Sequence, residues 1–171
     1  MTIRLFYDRW PQYERRLADS LRDLTPEQLA LRAAPEHWPI WAIAGHVAGS
    51  RVYWLCHILG EPGAAATPFA ERDADGWEDD LDRPRSAREV VDALEATFTI
   101  IDAALDRWTP EMMADTVDRS YGDVRQAHSR TSILQRLLTH EAYHGGEIAI
   151  ALGSHHLDPT YIWRPDDPLR S

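Results

Sequence analysis

Two histidines, His140 and His144, are the first residues whose spacing indicates chemistry. Residues four apart on a helix are neighbours on one face, so both imidazoles can reach a single metal ion. The intervening letters make the string His-Glu-x-x-His, with Glu141 in the second position, which in zinc metalloproteases supplies two ligands and a general base. In a chain with eight histidines, the same spacing also arises by chance, without any metal.

The protease interpretation of this string meets two obstacles. In the extended protease motif, a glycine and a third histidine follow three and six residues after the second histidine, but Glu147 and Ile150 occupy those positions. Proteases with this motif also usually align their substrate along the edge of a sheet, and no segment of the sequence reads as a convincing strand. We therefore do not expect a metalloprotease.

A third imidazole, that of His46, lies in an apolar stretch of small residues between positions 41 and 50. A bare imidazole is costly to bury in such surroundings, so His46 needs a polar partner. That partner is either a metal ion shared with the other two histidines or a carboxylate or carbonyl that satisfies a core histidine. Gly45 and Gly49 permit close approach of a ligand or another helix, which favours the metal.

Other residues of the same helix are weaker candidates. Ser50 and Tyr53 share the helical face of His46 and are candidates for binding a ligand or cofactor, although such residues also serve as ordinary core neighbours. His57 faces the same way but lies about 16 Å further along the axis, out of reach of the same ion. Cys56 is displaced around the helix and is expected to fill space in the core.

The composition of the chain excludes several function classes. The net charge is −10 and all 18 basic residues are arginine, so phosphate backbones are repelled and lysine Schiff-base chemistry is absent. One cysteine cannot form an intrachain disulfide, the first residues lack the apolar core of a signal peptide, and no apolar run reaches the length of a membrane span. We expect a cytoplasmic protein with no nucleic-acid or membrane partner.

The elements that must position these residues are helices. Four segments carry apolar residues at helical spacing and none alternates with a period of two, so the sequence predicts an all-α fold. The predicted helices span residues 3–24, 39–59, 86–105 and 132–153. Pro11 either lies near the true start of the first helix or kinks it. His46 belongs to the second helix, and His140 and His144 belong to the fourth.

Local signals mark several helix ends. Gly60 is placed to end the second helix in the left-handed conformation, and Gly153 is placed to end the fourth. Ser86 and Glu89 form a capping box at the start of the third helix. Residues 61–85, rich in proline, glycine, alanine and aspartate, form a long crossover between the second and third helices.

A weak internal repeat supports two pairs of helices. The sequence Leu-Thr-Pro-Glu-Gln-Leu (residues 24–29) follows the first helix, and Trp-Thr-Pro-Glu-Met-Met (residues 108–113) follows the third. The repeat assigns equivalent places to helices two and four. Because 171 residues suffice for one substantial core, we predict a single domain over residues 1–171, a four-helix bundle with a long crossover between helices two and three.

These features together resemble the DinB superfamily. The resemblance rests on His46 in the apolar second helix, on the run His-Glu-Ala-Tyr-His-Gly-Gly-Glu-Ile at residues 140–148, and on the closing residues 157–165. Members of that family are metal-binding four-helix bundles with a long crossover, and they are often homodimers. The resemblance implies that His46, His140 and His144 hold one divalent ion, zinc or nickel, with water in the remaining positions.

Glu147 departs from the family pattern, which usually has glutamine at this position. At helical spacing it shares a face with His140 and His144, so we name it as the candidate catalytic residue. Three roles are open to it: a fourth ligand, a base for metal-bound water, or a carboxylate that orients an imidazole. We favour the last role.

An open three-histidine site leaves room for water and substrate, lowers the pKa of a bound water or thiol, and polarises a ligand oxygen. The resemblance implies either transfer or isomerisation that uses a low-molecular-weight thiol, or metal-assisted hydrolysis. We favour the thiol chemistry because metal-thiolate activation needs no protein nucleophile and no unambiguous base. A non-catalytic metal-binding or stress-response protein is the alternative from a different class.

Overall fold

The computed structural model describes residues 1–158 and is mostly helical. Its helices are α1 (Trp10–Arg22), α2 (Pro26–Leu29), α3 (Ile40–Val52), α4 (Ala87–Arg107) and α5 (Arg130–Ser154). α1 packs on α4, α4 on α3, and α3 on α5. The helix that carries His46 is therefore a direct neighbour of the helix that carries His140 and His144. Of the closing residues 157–165, those from 159 onward lie outside the described part of the chain.

The start of the chain differs from the predicted continuous helix over residues 3–24. A 3₁₀ helix spans Ile3–Tyr7, and α1 begins only at Trp10, with Pro11 in its first turn. Proline lacks the N–H that a helix interior needs but is tolerated in the first turn, where that donor has no intrahelical partner. The first of the two alternatives for Pro11 is thus the observed one.

The predicted second helix consists of two parts. α3 ends at Val52, and a π-helical segment continues it over Tyr53–Ile58. Gly60 follows with a φ angle of 77°, the left-handed conformation expected of a residue that ends a helix. π-helical turns are rare, and those that occur are often found at functional sites. This one begins at Tyr53, a candidate ligand-binding residue.

The start of α4 agrees with the prediction from the sequence, and the end of α5 differs from it. The Ser86 side chain accepts the backbone N–H of Glu89 and the Glu89 carboxylate accepts that of Ser86, so the predicted capping box is present. α5 extends beyond Gly153 to Ser154, and the residue with positive φ is His156, at 60°. Gly153 therefore does not end this helix by a left-handed turn.

A β-hairpin between α4 and α5 makes the all-α prediction wrong for this segment. β1 (Thr116–Tyr121) pairs antiparallel with β2 (Val124–Ser129), and Gly122 in the turn has a φ angle of 56°. Most of the strand residues are exposed, so the segment lacks the alternation of apolar and polar residues that marks a half-buried strand. The fold is mostly helical with one small two-stranded sheet.

Apolar side chains of α3, α4 and α5 fill the space between these helices. The fully buried set includes Ile43, Val47, Leu94, Ile101, Leu105, Leu134 and Ile148. The 3₁₀ turn Trp77–Asp79, between α3 and α4, packs on α3 and covers its small residues. Of the helices within residues 1–158, none is long and apolar enough to cross a membrane.

Gly45 provides a test of how α3 is packed. A Cβ atom at this position would lie 2.6 Å from Cε3 and 2.9 Å from Cβ of Trp77. Glycine to alanine normally favours a helix, but here the added methyl overpacks the contact, so Gly45→Ala is expected to lower the free energy of unfolding by about 1–3 kcal/mol. Urea denaturation measures this change. Gly153→Ala, which meets no atom within 4 Å, is the control, and equal stability of both variants would contradict the packing described.

Candidate metal centre

Three imidazoles from two packed helices converge on one point. His46 projects from α3 and His140 and His144 project from α5, and one ring nitrogen from each lies within 4.8 Å of the others. The Nε2 atoms of His46 and His140 are 2.9 Å apart, and the three ring centroids are separated by 4.5–5.0 Å. Tetrahedral ligands of zinc have nitrogen atoms about 3.4 Å apart. The spacing of the three rings is therefore that of a group able to hold one ion.

Burial favours the uncharged form of His140 and His144, the form that a metal needs. Burial, with smaller contributions from the neighbouring His144 and His46, lowers the pKa of His140 to about 4. Burial also lowers the pKa of His144, against the opposing effect of its hydrogen bond to Glu147. Neutral imidazole has a free lone pair, which is what coordinates a divalent cation.

Two carboxylates brace the ligand rings from behind. His46 Nδ1 donates to Oε1 of Glu78, and His144 Nδ1 donates to Oε2 of Glu147 at 2.6 Å. Burial acts to raise the pKa of Glu78, but its hydrogen bonds to His46 and to backbone, together with the nearby imidazoles, lower that pKa below its ordinary value. Each contact occupies Nδ1 and leaves Nε2 as the coordinating atom, the arrangement that fixes ring orientation and raises ligand basicity in metal sites.

Glu147 makes a second contact with its other oxygen. Its Oε1 atom accepts from Nδ1 of His37 at 2.9 Å, so the carboxylate lies between His37 and His144. Among the three roles considered for Glu147, this geometry matches a carboxylate that orients an imidazole. Its role in catalysis stays a prediction.

The candidate ligand-binding residues line a cavity beside the cluster. Ser50 and Tyr53 share with His46 the wall of a cavity of about 210 Å³. His57 also lines it, with Nε2 3.2 Å from the carbonyl oxygen of Phe69, and it stands apart from the three-histidine group as expected. The cavity gives a small molecule access to the His46 side of the centre.

Glu141, the glutamate of the His-Glu-x-x-His string, lies in the core. Its side chain is 1% exposed, its Oε2 atom lies 2.5 Å from Nη2 of Arg51, and its Oε1 atom accepts from Trp10 at 3.3 Å. Glu14 pairs with the same guanidinium. Burial raises the pKa of Glu141 even against the opposing charge of Arg51. Because Glu141 is enclosed by these partners, it is not placed to act on a water at the histidine cluster, which agrees with the rejection of the protease interpretation.

Three residues of the centre were not predicted from the sequence. Glu78 lies in the 3₁₀ turn Trp77–Asp79. Trp38 precedes α3 with its ring centroid 5.1 Å from that of His46, and His37 contacts Glu147. Residues 61–85 hold many carboxylates and have no periodicity, so no local signal distinguishes Glu78 from the others. Its position is fixed by packing of the adjacent Trp77 against α3.

The fold and the cluster together define a helical protein with three convergent histidines at an accessible cavity. The family model for the DinB superfamily matches residues 10–148, a range that contains all three histidines, and the chain belongs to this superfamily. A crystal structure of a DinB-like protein from Bacillus cereus ATCC 10987 is similar, with a TM-score of 0.68 and 21% identity over 95% of this chain and 98% of that chain. At that identity the likeness concerns the fold. No curated protein matches the chain.

The lowered histidine pKa values predict how the stability of the metal-free chain depends on pH. The pKa of His140 falls from 6.5 to about 4 on folding, so between these values the unfolded chain binds more protons and the free energy of unfolding rises with pH. We expect metal-free protein to lose stability as the pH falls from 7 to 5. Urea denaturation at both values measures this, and an unchanged pH dependence in His140→Gln would contradict it.

Proposed function

We propose that this chain binds one divalent ion, zinc or nickel, through His46, His140 and His144, and that it uses the ion to activate a small thiol for transfer or isomerisation. The observation that carries the proposal is the convergence of three imidazoles, with ring nitrogens within 4.8 Å of one another, beside a cavity that His46 lines. Three protein ligands leave coordination positions free, and nitrogen ligands suit both metals. The DinB superfamily is metal-associated, which supports the same interpretation.

The residues of this chain orient the centre and shape its surroundings. Glu78 and Glu147 hold the rings of His46 and His144 in the orientation that presents Nε2. Ser50 and Tyr53 offer hydroxyl groups to a molecule in the cavity. A bound ion would lower the pKa of a coordinated thiol and stabilise its thiolate.

The side chains around the cluster favour thiol chemistry. The cavity lining contains no cysteine, and burial raises the pKa of the nearby Cys56, so this thiol is a poor nucleophile. The carboxylates of Glu78 and Glu147 each hold a ligand histidine. A thiol that binds the ion as its thiolate is itself the nucleophile and requires neither group.

One observation favours hydrolysis as a second candidate. Oε2 of Glu78 is buried and has no hydrogen-bond partner within residues 1–158. Glu78 lines the same cavity as His46, so its carboxylate is the candidate base for a water there. A metal-binding protein without turnover is the third candidate. Binding of small thiols is expected only of the thiol transferase, so it distinguishes that function from the other two.

We further propose that the long helices form a four-helix bundle with residues 61–85 as the crossover, and that the whole chain is one domain. We also propose that the protein is a cytoplasmic homodimer and that it binds a small-molecule substrate. Exposed Phe6, Tyr143 and Ile150, at 68%, 67% and 62% exposure, support association of two chains. Sedimentation equilibrium tests the dimer, and a monomer at every concentration would contradict it.

Cobalt substitution tests the proposed function directly. The cobalt(II)-loaded chain is titrated with 2-mercaptoethanol, and a thiolate-to-cobalt charge-transfer band in the near-ultraviolet is expected. His57→Ala is the control. It alters a cavity histidine outside the three-histidine group and should retain the band. A chain that binds cobalt but gives no band with any small thiol would contradict the thiol proposal.

A further inference from the structure

Arg119 of the β-hairpin contacts Tyr53, a residue that lines the cavity. Arg119 of β1 donates its Nε–H to the hydroxyl oxygen of Tyr53, with a nitrogen–oxygen distance of 2.8 Å. The guanidinium carbon of Arg119 lies 5.3 Å from the ring centroid of Tyr53, 5.1 Å from that of Trp54 and 5.4 Å from that of Tyr121. Contact with three aromatic faces holds the guanidinium in place over the π-helical turn.

This contact determines what the Tyr53 hydroxyl has left to offer. A phenol has one donor hydrogen and accepts through its oxygen, and Arg119 uses the accepting side. Within the described residues, no acceptor is found for the hydroxyl hydrogen of Tyr53. A cationic donor on the oxygen polarises the O–H bond and makes it a stronger donor. Because Tyr53 lines the cavity with His46, that hydrogen is available to the occupant of the cavity.

We propose that Arg119 is a positioning residue, which holds Tyr53 so that its O–H donates to an oxygen atom of the ligand in the cavity. The inference rests on the proposed function, since the ligand is taken to be the small thiol. Three carboxylates and one arginine line the same cavity, and this excess of negative charge disfavours a carboxylate ligand: Glu71, Asp75, Glu78 and Arg72. The acceptor is therefore a neutral oxygen, such as a hydroxyl or an amide carbonyl.

The separation between the histidine cluster and the Tyr53 hydroxyl restricts the length of the ligand. Tyr53 follows His46 by two helical turns, about 10 Å along the axis of α3, although its long side chain leans back towards the start of the helix. A thiol whose sulfur lies at the histidine cluster must carry its oxygen several bonds away. A series of mercaptoalcohols of increasing length measures that separation.

The test compares ligands with and without the oxygen. Cobalt(II)-loaded wild-type, Tyr53→Phe, Arg119→Met and Arg119→Lys chains are titrated with mercaptoalcohols of two to six carbons and with alkanethiols of equal length. At the best-fitting length, the wild type is expected to prefer the mercaptoalcohol by about three- to ten-fold, the effect of one hydrogen bond. Tyr53→Phe and Arg119→Met are expected to lose this preference, and Arg119→Lys, which keeps a donor, to restore it at least in part.

A matched arginine on the same hairpin is the control. Arg125 of β2 is 75% exposed and pairs with Asp118, so Arg125→Met is expected to keep the wild-type preference. An Arg119→Met chain that binds thiols with an unchanged preference would overturn this inference and leave the proposed function intact. Failure of the wild type to bind cobalt, or of the cobalt-loaded wild type to bind any thiol, would overturn the proposed function and the ligand-directed role of Tyr53 together.

The hydrogen bond itself is measurable without metal or ligand. In the nuclear magnetic resonance spectrum of the metal-free chain, the Nε–H signal of Arg119 is expected to move in Tyr53→Phe, while that of Arg125 stays in place. An Arg119 Nε–H signal that does not move in Tyr53→Phe would overturn the positioning role.

Discussion

Arg51→Met is expected to lower the free energy of unfolding by about 3–5 kcal/mol, because it leaves two buried carboxylates without their cation. Arg51, Glu14 and Glu141 have side chains that are 1%, 4% and 1% exposed, so water cannot replace the lost partner. Nη1 of Arg51 also donates to the carbonyl oxygen of Leu94 at 2.9 Å, so the variant loses a link between α3 and α4 as well. Urea denaturation of the metal-free protein measures the change.

Two further variants show whether burial is the cause. Arg22 lies at the surface and pairs with Glu95, and Arg22→Met is expected to change stability by less than about 1 kcal/mol. Replacing Glu14 and Glu141 by glutamine in the Arg51→Met background removes the unpaired charges and is expected to recover part of the loss. An Arg51→Met chain as stable as Arg22→Met would show that the buried group is not what the structure describes.

Removal of both bracing carboxylates is expected to reduce metal affinity by about 10²–10⁴-fold. Partners of ligand histidines typically contribute 10- to 100-fold each, and Glu78 and Glu147 hold different rings, so their effects should combine. Without them, the Nδ1 atoms of His46 and His144 lose the acceptors that fix their tautomer and orientation. Competition against a chromophoric chelator measures zinc affinity of the Glu78→Ala, Glu147→Ala double variant.

The control for this variant is a carboxylate of similar charge and no contact with the centre. Asp92 on α4 is 66% exposed and pairs with Arg88, so Asp92→Ala should leave zinc affinity unchanged. If the double variant bound zinc as tightly as the wild type, the two glutamates would have no part in the centre.

Helical spacing was enough to predict much of the metal centre. The four-residue interval between His140 and His144 places both rings on one face of α5, and an imidazole in the apolar part of α3 requires a polar partner. The packing of α3 against α5 is a tertiary contact, and the sequence indicated it only through a weak repeat. Glu141 is rotated by about 100° around α5 from His140, and its pairing with Arg51 and Trp10 in the core keeps it out of the histidine cluster.

Glu78 and the hairpin show what the sequence could not reveal. Glu78 reaches His46 because Trp77 packs against the bare backbone of Gly45, and neither a period nor a motif encodes that contact. The strands are polar on both faces, so their backbone pairing leaves little trace in hydropathy. The one local signal is Gly122-Asp123 between residues of high strand propensity, Tyr121 and Val124.

The metal content of the purified chain tests the central claim most directly. Elemental analysis is made on the wild type beside a His46→Ala, His140→Ala, His144→Ala variant, with far-ultraviolet circular dichroism to confirm that both are helical. We expect close to one zinc or nickel ion per wild-type chain and none in the variant. Equal metal content in the two folded proteins would contradict the account, because the ion would then be held by other groups.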